Sequence, residues 1–182
     1  MYLSGRPLEL EELDGIVALR SNTAKAITPS AAAADQADIR QAAGCPEAAT
    51  LGKDLERLGR AGWQFFKLAN VAPLKKRQAA KGHAVYCDQE GRLKIDGRSL
   101  AIRLSEEISE IDAKKWFTLH SLTPARKLRF QPNLFIVETP EGGDTLSIAA
   151  DLEKDDSVIY AEPQLVEVIG PRQPKKGGRG VI

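Results

Sequence analysis

Between Ser99 and Tyr160 the spacing of apolar residues switches from two to a helical period and back, and the order of these switches constrains the fold more than any other feature. Leu100, Ile102 and Leu104 alternate as one face of a strand spanning 99–104. Ser105 then offers an N-cap, and Glu106 and Glu107 sit where a helix dipole favours acids. Ile108, Ile111 and Leu119, helped by Trp116, form the expected buried stripe of a helix over 106–119. Two short strands follow, Arg126 to Phe130 and Leu134 to Glu138, joined around Gln131-Pro132-Asn133. Gly142-Gly143-Asp144 opens a helix over 144–154 with Thr145, Ile148, Ala149 and Leu152 inward, and Val158-Ile159-Tyr160 closes with a strand. The order β-α-β-β-α-β predicts an α+β module with two helices on one face of a four-stranded antiparallel sheet, the ferredoxin-like arrangement. Its core is expected to contain Leu100, Ile102, Ile108, Ile111, Phe135, Val137, Ile148, Leu152 and Ile159.

A more divergent α/β module precedes it. Residues 1–20 read as a hairpin turning at Asp14-Gly15. The stretch 21–46 is an Ala-rich insertion whose short helix has Ile39 as its only large aliphatic side chain, so it is expected at the periphery. Ala48, Leu51, Leu55 and Leu58 predict a helix over 47–60, and Trp63 to Leu68 a buried strand. Pro73 suits the start of a short helix over 74–81. A second hairpin joins Ala84-Val85-Tyr86-Cys87 to Gly91 through Ile95. Tyr2, Gly5-Arg6 and Ala18-Leu19-Arg20 are echoed by Tyr86, Gly91-Arg92 and Ala101-Ile102-Arg103, which suggests two related modules. The expected organisation is therefore 1–90, 91–169 and a flexible tail over 170–182, where Pro171, Pro174 and the glycines leave little to build a core.

Charge and motif spacing exclude several functions. The chain of 182 residues carries 26 Lys plus Arg against 25 Asp plus Glu, a net charge of +1, which is no nucleic-acid wrapping surface. Its apolar runs fall short of the ~20 residues a membrane helix needs, and Met1-Tyr2-Leu3-Ser4-Gly5 opens no signal peptide, so a cytoplasmic location is expected from the sequence. Cys45 and Cys87 are isolated and form no zinc cluster. His83 and His120 are the only imidazole bases, and Ser121 lacks a G-x-S-x-G elbow. The glycines at 177, 178 and 180 lack the strand, helix and Lys-Ser pair of a phosphate loop. No catalytic, cofactor or metal residue is assigned, and no enzyme activity is expected.

From Gly91 through Ile169 the sequence resembles the N-terminal prodomain of subtilisin-like serine proteases, especially the larger fervidolysin-like type. The residues that carry the likeness are Leu100-Ala101-Ile102-Arg103-Leu104 before a Ser-led helix, then Arg126 through Glu138, then Glu141-Gly142-Gly143-Asp144, and most sharply Asp156-Ser157-Val158-Ile159-Tyr160-Ala161-Glu162-Pro163-Gln164. Tyr2 to Arg20 is similar to the opening of such prodomains. The resemblance implies a noncatalytic intramolecular chaperone and inhibitor, with a subtilisin-like catalytic domain as partner in cis or in trans. It further implies docking through the outer face of the sheet and an extended segment, about 164–170, entering the protease cleft. Carried onto this chain, the partner-binding residues are Glu162, suited to a protease helix N-terminus, and Leu165, Val166, Val168 and Ile169, suited to successive subsites. The residues alone leave a plainer alternative for that segment, an extension of the last strand. For the whole chain they leave a structural or protein-interaction module unrelated to protease inhibition. Related precursors are commonly exported, and this chain ends before any catalytic Asp, His or Ser motif.

Overall fold

A computed structural model describes residues 2–3, 6–7, 9–20, 34, 36–43, 48–70, 82–140 and 143–168. Strands β1 (Tyr2–Leu3) and β2 (Arg6–Pro7) pair with each other. Then come β3 (Leu10–Arg20), helices α1 (Gln36–Ala43) and α2 (Ala48–Arg60), β4 (Trp63–Lys67), β5 (His83–Asp88), β6 (Leu93–Leu104), α3 (Glu110–Leu119), β7 (Thr123–Leu128), β8 (Leu134–Glu138), α4 (Thr145–Leu152) and β9 (Val158–Glu167). Seven strands form one antiparallel sheet in the order β4-β3-β5-β6-β8-β7, with β9 along the other side of β6. The fold is mixed α+β.

β6 organises the sheet. Its first half pairs with β5 through Val85↔Ile95, and its second half pairs with β8 through Ile102↔Phe135. β9 pairs along both halves. Leu93 and Ile95 belong to one core with Leu13, Ile39, Leu51, Leu58, Trp63 and Phe65, whereas Leu100, Ile102 and Leu104 belong to another with Ala113, Trp116, Phe117, Phe135 and Leu152. Odd and even positions of one strand project from opposite faces. The two cores therefore lie on opposite faces of one sheet, the first under α1 and α2, the second under α3 and α4. β9 repeats the division, since Ala161 enters the second core while Val166 and Val168 pack on the first. Between the halves the register shifts from Asp96↔Leu165 to Leu100↔Pro163. Gly97 permits the close approach there, because a Cβ on it would come within 2.2 Å of the Gln164 carbonyl oxygen.

Several expectations need correction. Residues 10–20 form one strand rather than a hairpin about Asp14-Gly15. Gly15, at φ +74, lies instead in an irregularity between Glu12 and Val17. The strands expected at 91–95 and 99–104 are one continuous β6. α1 is not peripheral: Ile39 is fully buried in the first core, and Asp38 accepts from Lys67 at 3.0 Å. The third helix begins later than expected, capped by Ser109, whose hydroxyl accepts from the Asp112 amide. That start turns Ala113, Trp116 and Phe117 inward and leaves Ile111 69% and Leu119 80% exposed. Ile159 is 51% exposed, beside a register shift at Arg103/Leu104 that directs Val158 and Ala161 to the core instead. The helix over 144–154 is observed as α4 with Asp144 as its N-cap. The proposed helix over 74–81, Cys45 and the tail over 170–182 lie outside the described residues.

Candidate functional site

Two groups of side chains stand out, one on each face of the sheet. The first is the face of the C-terminal strands that points away from α3 and α4. Residues opposite each other on paired strands share a face, so the register builds two rungs across β7, β8, β6 and β9. One rung is Arg126–Ile136–Ala101–Glu162 and the next is Leu128–Leu134–Arg103–Tyr160. Ile136 and Ala101 hold the middle of the first rung between Arg126 and Glu162, and Leu134 and Arg103 the middle of the second. Tyr160 donates to Gln131 at 3.2 Å, and Arg103 donates from Nη2 to Glu106 at 2.9 Å. Among the described residues the Nε of Arg103 is a buried donor without a hydrogen-bond partner.

Of the residues expected to meet a partner, Glu162 lies on this face, half-buried opposite Ala101. Leu165 and Val166 lie in the β9 ladder opposite Asp96 and Ile95, and Val166 and Val168 pack on the first core. In this state Leu165 and Val166 extend the strand, and Val168 follows directly after its end. Ile169 lies outside the described residues.

The second group was not foreseen. Glu12 and Asp14 of β3, Tyr86 of β5, Asp96 and Arg98 of β6 and Asp144 at the start of α4 line a cleft of about 240 Å³. Tyr86 is almost wholly buried and donates to Asp144 at 3.3 Å, while Asp144 also caps α4 by accepting from the Leu146 amide at 3.0 Å. Asp96 is held by the Arg98 amide at 2.7 Å, and the Arg98 guanidinium donates to the Gly82 carbonyl at 2.7 Å. Burial raises the Glu12 carboxyl above its ordinary range, and the charges of Asp144, Asp14 and Asp96 add to this. Burial, the same acidic surroundings and the bond to Asp144 keep the Tyr86 phenol protonated. Among the described residues no His, Cys, Asp and Glu set has a geometry that could hold a metal ion. Sequence reasoning missed the cleft because its members come from four elements and none forms a motif. Of its members, Asp144 was read as part of Gly142-Gly143-Asp144 opening a helix, and Asp14 as part of a turn at Asp14-Gly15.

The histidines occupy structural settings. His83 places Nδ1 2.6 Å from the Asp96 carbonyl oxygen and stands edge-on to Trp63, and burial lowers its pKa. His120 lies over Trp116 at 4.2 Å with Nε2 3.5 Å from Asp155, which also accepts from the Trp116 indole at 2.9 Å. This cluster ties the end of α3 to the turn before β9. No family model matches the chain, and no curated protein or solved structure is significantly similar to it.

Proposed function

We propose that the chain is a noncatalytic prodomain-like inhibitor and folding assistant of a subtilisin-like serine protease, built on a ferredoxin-like βαββαβ module. The observation that carries the reading is the strand order β9-β6-β8-β7, with α3 and α4 sharing one core on one face. The opposite face, with Ala101, Ile136, Leu134 and Tyr160 flanked by Arg103 and Glu162, is then the docking surface. Glu162 meets amide groups at a protease helix N-terminus, where a carboxylate is favoured. Leu165, Val166, Val168 and Ile169 complete the interaction in the substrate cleft. Leu165 and Val166 can do so only by leaving β6, and Val168 only by leaving the first core, so docking through the sheet face comes first and cleft entry second.

The test is inhibition of a purified subtilisin-like protease by the full chain, followed by peptide-substrate turnover. Glu162→Arg should weaken inhibition by about tenfold while the far-ultraviolet circular dichroism stays unchanged. Refolding yield of the denatured protease, with and without the chain, measures the chaperone role. A folded chain that neither slows turnover nor forms a complex sinks the proposal.

A further inference from the structure

Among the described strands β4, β7 and β9 each pair on one side only, and the β4 and β7 edges are finished differently. At β4, the Ala34 amide donates to the outward Phe65 carbonyl at 2.8 Å, so neighbouring backbone already occupies that edge. At the other end, β7 pairs only with β8 among the described strands, and five of its six residues are exposed. α3 runs beside β7, and between them lies a groove of about 200 Å³. Its floor includes Ala113, Phe117 and Phe135, its rim carries Lys114 and Lys127, and Arg126 flanks the same strand edge from the opposite face of β7. Lys127 lies over the Phe135 ring at 5.6 Å. The acid on the rim is Glu110, 3.6 Å from Lys127, so along this edge Lys114, Lys127 and Arg126 outnumber it three to one.

We infer that the β7 edge and the α3–β7 groove bind an extended, acidic segment of a partner protein, which adds as a further strand to the sheet. Three features define that occupant. An unpaired strand edge offers main-chain donors and acceptors in register with an extended peptide. The aromatic floor accepts an apolar side chain from every second position of the added strand. Lys114 and Lys127 on the rim, with Arg126 on the other face of β7, select Asp or Glu in the added strand and repel a basic segment. Pro124 and the register shift between Pro124 and Arg126 interrupt regular pairing at the start of β7, so the peptide engages chiefly alongside 126–128. This edge and groove share only Arg126 with the face assigned above to the protease, and the inference stands without that assignment.

The test uses the full chain and a labelled probe peptide, Asp-Glu-Val-Thr-Leu-Thr-Phe-Asp-Glu, read by fluorescence anisotropy and hydrogen exchange. The acidic probe should bind, and its binding should weaken as salt rises. Replacing its acids by Lys should weaken binding by about tenfold or more, as should N-methylation of alternate backbone amides. The double variant Lys114→Glu, Lys127→Glu changes exposed side chains and should show the same loss at an unchanged unfolding midpoint. Bound probe should slow exchange in 123–128. Failure of the acidic probe to bind, equal binding by the Lys probe, or protection confined to other strands overturns the inference. Concentration-dependent dimerisation that protects 123–128 without any peptide also overturns it, because the occupant would then be a second copy.

Discussion

The two halves share one sheet, yet they are closed in different ways. The C-terminal half is local in sequence: β6, α3, β7, β8, α4 and the first part of β9 follow one another, and all of them except β7 supply its core. The N-terminal half is completed from the far end of the chain, where Val166 and Val168 pack on a core formed by residues as early as Leu13. Lys94, almost wholly buried, reinforces this closure by pairing with Glu167 of β9 and, at 3.5 Å, with Asp88 of β5. The difference teaches that the second half of β9 serves two masters. It staples the N-terminal half, and it is the segment that the protease reading sends into a substrate cleft. Both cannot be satisfied at once.

The largest effect is therefore expected from a chain ending at Pro163. It removes the pairs Asp96↔Leu165, Ile95↔Val166 and Lys94↔Glu167, together with two apolar side chains of the first core. Amide exchange in β3, β4 and α2 should accelerate strongly, while Leu100 to Leu104 and β8 stay protected. Loss of protection in both halves together would show a single cooperative unit and break the comparison.

A point substitution sharpens it from the other side. Phe135 is 6% exposed and stacks edge-on against Phe117 at 4.9 Å. Phe135→Ala should cost about 3–5 kcal/mol in a denaturant titration. Early loss should fall on α3 and β8. A midpoint shift too small to resolve would show that Phe135 is not part of a packed core.

A smaller effect joins the halves. Glu12 and Tyr86 belong to the first half and Asp144 to the second, and they meet in the acidic cleft. Because burial and neighbouring acids raise the Glu12 carboxyl, its ionised form is disfavoured in the folded chain relative to the unfolded one. That penalty is present above the raised pKa and disappears as pH falls through it toward the unfolded value near 4.5. Tyr86, Asp96, Asp14, Asp144 and the Arg98 guanidinium face the same space. Glu12→Gln should then be more stable than the parent at neutral pH, and the two unfolding midpoints should converge in acid. Parallel midpoints across that range would show that Glu12 does not feel the cleft.

How much of this was legible depends on how far each signal travels along the chain. The second half was read almost element by element, because its strands and helices are consecutive and its β8 and α4 patterns are self-contained. β6 was read as two strands, 91–95 and 99–104, whereas it runs on through Gly97, which serves the close approach of β9. Ile39 was placed outside the core because one aliphatic residue among alanines gives no stripe, although a single side chain suffices when the sheet supplies the rest. Pro163 cannot donate to a ladder, yet it stands opposite Leu100 and the ladder resumes at Leu165. The acidic cleft had no linear signature at all, since strand register alone brings Glu12 to Tyr86.

The smallest expected effect concerns Ile111, which the sequence pattern placed in the core. In the pattern, a helix capped at Ser105 turns Ile108 and Ile111 to the same side. In the structure the cap is Ser109, and Ile111 stands two residues before the buried Ala113, about 200° around the helix from it. Its side chain is 69% exposed, so truncation opens no cavity and removes little area from the core. Ile111→Ala also exchanges a β-branched residue for a better helix former, which offsets part of any lost contact. The net change in unfolding free energy should lie within about 0.5 kcal/mol of zero. A loss comparable to Phe135→Ala would mean that the helix starts a turn earlier than Ser109 and buries the face the apolar spacing first suggested.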